Sequence, residues 1–273
     1  MKSIIRSFWF VEKQSPPLRI HIWHIFYNLI AKYFPFDDVH FMNWGYVPLE
    51  GEPSLQVGKV DENNRPFAQM YAYTLGTVDV KNLDIAEIGS GRGGGAAWLA
   101  KTRHPRSVIG VEFAPEAVKL ATRLHSDVPQ LLFKQGDAHN IPLEDESVDV
   151  VVNVESCHHY ASMEKFLSEV HRILIRPGGF LALADYRKMN KLSALQEALA
   201  ASPLTLLETQ NITRNVIAAL DQGHDYKIGL LHERVPKPLH TIIWTFMDRP
   251  KIGKNRIKVL DYVGYHSSYE FTG

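Results

Sequence analysis

One stretch limits what this chain can fold into more than any other: Leu83-Asp84-Ile85-Ala86-Glu87-Ile88, followed by Gly89-Ser90-Gly91-Arg92-Gly93-Gly94-Gly95. An apolar run of strand length ends in a glycine-rich turn, and the residues beyond it, to Thr102, have the composition of a helix. Glycines at such a junction let the backbone turn tightly and approach a bound group closely, with the N–H groups of the next helix aimed at it. The spacing Gly89-x-Gly91-x-x-Gly94 fits a nucleotide-binding fingerprint. Glu112 ends the next predicted strand, where a carboxylate can grip two ribose hydroxyls. These features predict a nucleoside cofactor and by themselves leave NAD and S-adenosylmethionine both open.

The strand–turn–helix pattern repeats. Strands are expected at residues 83–88, 107–112, 131–134, 148–154 and 180–184, and helices at 93–102, 115–125 and 163–175. Such alternation predicts an α/β fold with a parallel sheet and helices on both faces. Residues 148–154 are nearly all apolar, as a strand buried on both faces requires. The alternation fails beyond residue 190. Helices are expected there at 192–201 and 213–219, helical segments broken by Pro236 and Pro238 at 226–247, and short strands at 204–207 and 267–271. Three regions follow: an N-terminal helical, aromatic region over 1–64, a cofactor-binding core over 65–190, and a substrate-side region over 191–273.

The N-terminal region carries an amphipathic helix over 15–36, with Ile20, Trp23, Phe26, Tyr27, Ile30, Tyr33 and Phe34 on its apolar side and His21, His24, Asn28 and Lys32 on its wetter side. A packing or lid helix is the reading favoured over a membrane contact, because cationic residues on the polar side are few. The stretch from Val47 to Asn64 reads as loop, and a helix should begin at Pro66 with Asn64 or Arg65 near its cap.

Composition removes several classes. At 273 residues, about three quarters of the unfolded chain's surface can be buried, enough for one sizeable core. Cys157 is the one cysteine, so no disulfide scaffold is expected and a reducing, cytoplasmic location is. Thirty Lys and Arg balance thirty Asp and Glu, which argues against a nucleic-acid partner. No uncharged apolar run reaches the length of a membrane span, and Glu12 and Lys13 interrupt the short run that would have to serve as a signal peptide. His21-x-x-His24 lacks a third ligand at metal spacing.

Further motifs choose between the two cofactors. Glu87 stands two residues before the first glycine, Gly136-Asp137-Ala138 follows the third strand, and Ile141-Pro142-Leu143-Glu144-Asp145-Glu146-Ser147-Val148-Asp149 leads into the fourth. With Phe166-Leu167-Ser168-Glu169-Val170-His171-Arg172-Ile173-Leu174 and Pro177-Gly178-Gly179, this set resembles the class I S-adenosylmethionine-dependent methyltransferases with a type 11 core, over residues 83–185. The resemblance implies a Rossmann-like fold with a seven-stranded, mostly parallel sheet, a helical N-terminal lid and a helical C-terminal insertion. It implies S-adenosylmethionine as cofactor and no metal. It places Glu87, Gly89, Ser90, Gly91 and Gly93 at the methionine portion, Glu112 at the ribose, Phe113 beside the adenine, Asp137 and Ala138 at the adenine amino edge, and Asn153 and Val154 near the sulfonium methyl.

Phe41-Met42-Asn43-Trp44-Gly45-Tyr46, Asn153-Val154-Glu155-Ser156-Cys157-His158-His159-Tyr160 and Ala184-Asp185-Tyr186-Arg187 look like the phthiotriol/phenolphthiotriol dimycocerosate methyltransferases, which O-methylate a lipid hydroxyl. The spacing Glu155-Ser156-x-x-His159 is also similar to tocopherol-type carbon methyltransferases. Three readings stay open: O-methylation of a hydroxyl on a lipid or polyketide-type natural product, C-methylation of an isoprenoid or aromatic acceptor, and a cofactor-retaining cyclase or pericyclase on the same scaffold. His158, His159 and Glu155 are the catalytic candidates, since imidazole accepts a proton near neutral pH; the resemblance puts His158 first for O-methylation, because it occupies the matching place in the phthiotriol-type motif, while His159 matches the tocopherol-type motif. Trp44, Tyr46, Tyr160, Asp185 and Tyr186 are the substrate candidates. The expected partner is a hydrophobic small molecule; peripheral membrane contact and homo-oligomerisation remain open.

Overall fold

The computed structural model describes residues 16–53, 55–175, 178–240 and 260–265. Five aliphatic strands make the parallel centre of one sheet: β1 (Asp84–Ile88), β2 (Ser107–Glu112), β3 (Leu131–Gln135), β4 (Val150–Val154) and β5 (Phe180–Lys188). Beyond β5 lies β7 (Leu260–Tyr265), antiparallel to it, and then β6 (Gln210–Asn211), antiparallel to β7. The order across the sheet is β3-β2-β1-β4-β5-β7-β6. Order reverses between β1 and β4, and in open α/β sheets the crevice at the carboxyl ends beside such a point is where ligands bind.

Helices cover both faces. On one lie α2 (Arg65–Leu75) and α3 (Gly94–Thr102), on the other α5 (Met163–Ile173) and α6 (Met189–Ala201). The division follows the two-residue period of the strands. Val150, Val152 and Val154 of β4 join the core with Met70, Leu75 and Leu99, while Val151 joins the other with Phe166, Val170 and Leu195. α4 (Pro115–Leu124) follows β2 and receives α1 (Pro16–Tyr33) through a small cluster of Ala31, Ala114, Ala117 and Leu120. α7 (Thr213–Gln222) and α8 (His224–Arg234) complete the described C-terminal part.

Several expected boundaries move. The short strand expected at 204–207 forms instead at Gln210–Asn211, and Leu206 and Leu207 are about half exposed, so no sheet face holds them. α5 stops at Ile173 because Leu174 turns into a bridge with Val148 and Ile175 N–H donates to the Val148 carbonyl at 2.9 Å. β5 runs four residues past the expected end at Ala184, because β7 supplies it with an antiparallel partner as far as Lys188. The strand expected at 267–271 and the part of the 226–247 segment beyond residue 240 lie outside the described residues.

Candidate active site

The glycine-rich turn hangs from the end of β2: Gly89 and Ser90 donate their N–H groups to the Val111 carbonyl at 2.8 and 3.1 Å. Gly89 has φ +77°, and a Cβ there would lie 2.2 Å from Ser156 Oγ, so no other residue fits. Glu112 holds the turn from the far side. Its carboxylate accepts from Gly91 N–H and Ala114 N–H, both at 2.9 Å. Burial pushes this carboxyl up, and the backbone donors oppose the shift.

Glu87 is buried beneath the turn, where its carboxylate accepts from the Tyr71 hydroxyl at 2.5 Å and from Ala96 N–H in the first turn of α3. Burial pushes its carboxyl up to about 8, against the pull of those two bonds. Asn153 Nδ2 donates to the Ile88 carbonyl, to Ser156 Oγ and to the Tyr160 hydroxyl at 2.9, 3.0 and 3.0 Å. Tyr160 therefore belongs to a polar knot under Gly89. Three buried oxygens around the turn, Glu87 Oε2, Ser90 Oγ and Asn153 Oδ1, have no hydrogen-bond partner among the described residues. Val154 is buried in the core, and Ala138 is buried beside the turn that carries Asp137. Asp137 itself is half exposed, with one oxygen 2.9 Å from His139 Nδ1.

After β4 the chain makes a left-handed kink at Glu155, φ +48°, uncommon for a residue with a Cβ. The kink turns the Glu155 carboxylate toward the Trp44 N–H, which donates to it at 2.8 Å. A single helical turn, Cys157–His159, follows. His158 Nδ1 lies 2.7 Å from Asp185 Oδ1, and no described residue bonds His158 Nε2. The other oxygen of Asp185 accepts from the Cys157 thiol at 2.7 Å and from Arg187 Nη1 at 2.8 Å. Burial alone would push the Asp185 carboxyl up. The charges of His158 and Arg187, with hydrogen bonds from His158 and Cys157, outweigh it and hold the group well below the ordinary carboxylate range. Burial pushes the Cys157 thiol far up, which disfavours the thiolate.

His159 takes a different position. Its Nε2 is 3.2 Å from the Tyr27 hydroxyl, and its ring lies 4.5 Å from that of Trp23. Tyr186 tilts over His158 at 4.0 Å and stacks on Trp44 at 5.0 Å. Trp23, Tyr27, Trp44, His158, His159 and Tyr186 thus line one aromatic wall beside the carboxyl ends of β4 and β5. Tyr46 does not join it. Its ring stacks on Tyr73 at 4.3 Å and its hydroxyl donates to Glu52, so it anchors a loop to the core. Asp185, the other expected substrate residue of this strand, is buried and backs His158.

α1 lies across this region with Trp23 and Tyr27 inward and His21 and Lys32 exposed, as the periodicity suggests, and departs from it at His24, Asn28 and Tyr33. His24 stacks on Phe113 at 3.3 Å, and Asn28 Oδ1 accepts the Glu116 N–H that opens α4, while Ile25, Leu29 and Tyr33 are 48, 48 and 63% exposed. Besides apolar partners, the helix covers the ends of strands and the N–H groups of a helix start, so His24 and Asn28 face inward beside Trp23, Tyr27 and Ala31. Burial pushes the His24 imidazole down to about 4. Arg92, within the glycine turn, donates to the carbonyls of Val39, Phe34 and Phe36 at 2.5, 3.0 and 2.6 Å, tying the turn to the end of α1. Arg92, Arg187 and Tyr71 were not singled out from the sequence. Arg187 was legible in principle, since it shares a strand face with Asp185 two residues earlier.

A methyltransferase domain model matches residues 86–183. The phthiotriol/phenolphthiotriol dimycocerosates methyltransferase of Mycobacterium tuberculosis is 36% identical over 217 residues, 79% of this chain and 78% of that protein. This chain belongs to that family of class I S-adenosylmethionine-dependent methyltransferases. A second relative, the fatty-acid O-methyltransferase of Mycolicibacterium smegmatis, is 36% identical over 191 residues, 69% of this chain and 68% of that one. Among solved structures, the cyclase SpnF superposes with a TM-score of 0.65 at 15% identity, over 87% of this chain and 91% of the other; that likeness shows the fold alone. The methyltransferase's cofactor suits the residues present. Its ammonium and ribose hydroxyls bring donors to a turn ringed by the orphaned oxygens of Glu87 and Asn153 and by the Glu112 carboxylate. Among the described residues no group of three His, Cys, Asp or Glu side chains is placed to hold a metal, and no helix is long and apolar enough to cross a membrane.

Proposed function

We propose that this methyltransferase O-methylates an alcoholic or phenolic hydroxyl on a long hydrophobic acceptor, with His158 as the base. The observation that carries the reading is the pair Asp185 Oδ1 and His158 Nδ1 at 2.7 Å, with Nε2 of the same ring left without a partner among the described residues. A carboxylate on Nδ1 fixes the proton there and leaves Nε2 as an acceptor. His159 Nε2 is engaged by Tyr27, and the Glu155 carboxylate by Trp44 N–H, so neither competes equally for the role.

Bound at the turn, S-adenosylmethionine supplies a methyl on a cationic sulfur, an electrophile that needs no activation. The protein's share is placement and proton transfer. Glu112 would hold the ribose hydroxyls, Asp137 the adenine amino group, and the turn Gly89 to Gly93 with Glu87 the methionine portion. Trp44, Tyr186 and the α1 aromatics Trp23 and Tyr27 would form the apolar acceptor wall, with α1 as a lid over residues 65–190 and residues 191–273 completing the acceptor side. As the acceptor oxygen takes the methyl group that the cofactor supplies, its hydroxyl proton would pass to His158 Nε2. A hydroxyl needs such a base; a carboxylate acceptor would not. The names of the relatives, a lipid methyltransferase and a fatty-acid O-methyltransferase, support a lipid-type acceptor.

The test is turnover on hexadecanol, nonylphenol and palmitic acid in mixed micelles, with calorimetric titration of S-adenosylmethionine alongside. Glu112→Ala and Asp137→Ala should each weaken cofactor binding. His158→Ala should lower kcat on a hydroxyl acceptor by about 100-fold or more, with cofactor affinity kept. Turnover of palmitic acid alone, unaffected by His158→Ala, would overturn the reading.

A further inference from the structure

Behind His158 lies a buried cluster that the methyl-transfer chemistry does not itself touch. Asp185 is 1% exposed and Arg187 8%, and the Arg187 fork divides its donors between Asp185 Oδ2 at 2.8 Å and the Cys157 sulfur at 3.1 Å. A further bond from Arg187 Nη1 to the Tyr186 carbonyl at 2.9 Å fixes the guanidinium plane. Cys157 donates to the same Oδ2. Asp185 Oδ1 meanwhile receives His158 Nδ1 and the Tyr186 N–H, both at 2.7 Å. The carboxylate is therefore divided, with Oδ2 for the core-side partners and Oδ1 for the site.

We propose that Arg187 is a positioning residue for methyl transfer: by occupying Oδ2 of Asp185 it leaves Oδ1 to hold the Nδ1 proton of His158, so that Nε2 faces the acceptor as base. This rests on the reading of His158 as base. A buried cation beside a buried carboxylate stabilises the ionised form, and an ionised Asp185 selects the Nδ1–H tautomer of its imidazole partner. Without the guanidinium, Asp185 Oδ2 would be left with the weak thiol donor alone, and no buried cation would favour the ionised carboxylate. The other titratable groups around His158 are Cys157 and His159 on its own turn, Tyr186 on β5, and, one step further, Glu155 and the α1 hydroxyl of Tyr27. None of these contacts Asp185 Oδ2 except Cys157.

The experiment uses full-length protein with S-adenosylhomocysteine bound and nitrogen-15 in its histidines. Long-range proton–nitrogen correlation should show His158, assigned by its loss in His158→Gln, as a single Nδ1–H tautomer. In Arg187→Met that signature should give way to the other tautomer or the imidazolium, and in Arg187→Lys it should return. The acidic limb of kcat/KM on nonylphenol should move up by roughly one pH unit in Arg187→Met and stay near wild type in Arg187→Lys. If the methionine variant does not fold, Arg187→Gln carries the same test, since it keeps an N–H toward Oδ2 and loses the charge. A wild-type tautomer and an unmoved limb in a folded, uncharged variant would overturn the role of Arg187. Retained turnover in His158→Ala would overturn the base reading instead; the tautomer is read without turnover, so the two failures are distinct.

Discussion

At the scale of single residues, the site is built from carboxylates in contrasting surroundings. Asp185 is buried among donors and a cation, and stays ionised; Glu87 is buried with one hydroxyl and one backbone N–H, and its carboxyl is pushed up to about 8. The Glu87 shift has a consequence for stability. The folded value lies above the ordinary 4.5, so between about pH 4.5 and 8 the native protein keeps a proton that the unfolded chain has lost, and stability falls as pH rises across that window. Glu87→Gln keeps an acceptor for Tyr71 and cannot titrate. Its thermal unfolding, compared with wild type at about pH 5 and about pH 8, should shift in the variant's favour at the higher pH. A constant difference would mean that Glu87 titrates alike in both states. Glu87 and Glu112 were legible because their place relative to a strand end is fixed by spacing. The division of labour between His158 and His159 was not. Adjacent residues on a tight turn point in different directions, and only the positions of Asp185 and Tyr27 separate the two rings.

At the scale of elements, α1 departs from its sequence pattern at His24, Asn28 and Tyr33. Periodicity sorts a helix into apolar and polar faces on the premise that an apolar core is what it covers. α1 covers strand ends and the start of α4 as well as an apolar cluster, so His24 and Asn28 face inward beside Trp23, Tyr27 and Ala31, while Tyr33 remains outside. The His24 ring stacks on Phe113, which is where the adenine is proposed to lie. Cofactor entry must then break a ring stack worth about 0.5–1.5 kcal/mol. His24→Ala should tighten S-adenosylmethionine binding by up to about tenfold in calorimetric titration. Unchanged or weaker affinity would indicate that α1 keeps its place when the cofactor binds. The three-carbonyl grip of Arg92 on the end of α1 gives that helix a fixed point at the glycine turn itself.

At the scale of the whole molecule, one sheet carries two cores. Met70 on one face and Phe166 on the other are both fully buried, with the sheet between them. Phe166→Ala should cost about 3–5 kcal/mol and Met70→Ala about 2–5 kcal/mol. Because the two residues pack in different clusters, their effects should add in the double variant within about 0.5 kcal/mol. Denaturant unfolding followed by two spectroscopic probes should show one transition; two transitions would mean that the faces unfold separately. The sequence by itself determined the parallel centre, since βα alternation, the glycine turn and the two-sided apolar run of β4 are local patterns, each set by backbone sterics and burial period. It determined the cofactor side for the same reason: turn, carboxylate and strand end lie at fixed separations along the chain. The aromatic wall proposed for the acceptor was decided only by tertiary structure. Trp44, Tyr186, His158, Tyr27 and Trp23 come from four separate segments, and Tyr46, two residues from Trp44, turns away into the core. Contacts between distant segments depend on how far β5 extends and where α1 comes to rest, and these are set by packing against partners that no local pattern names.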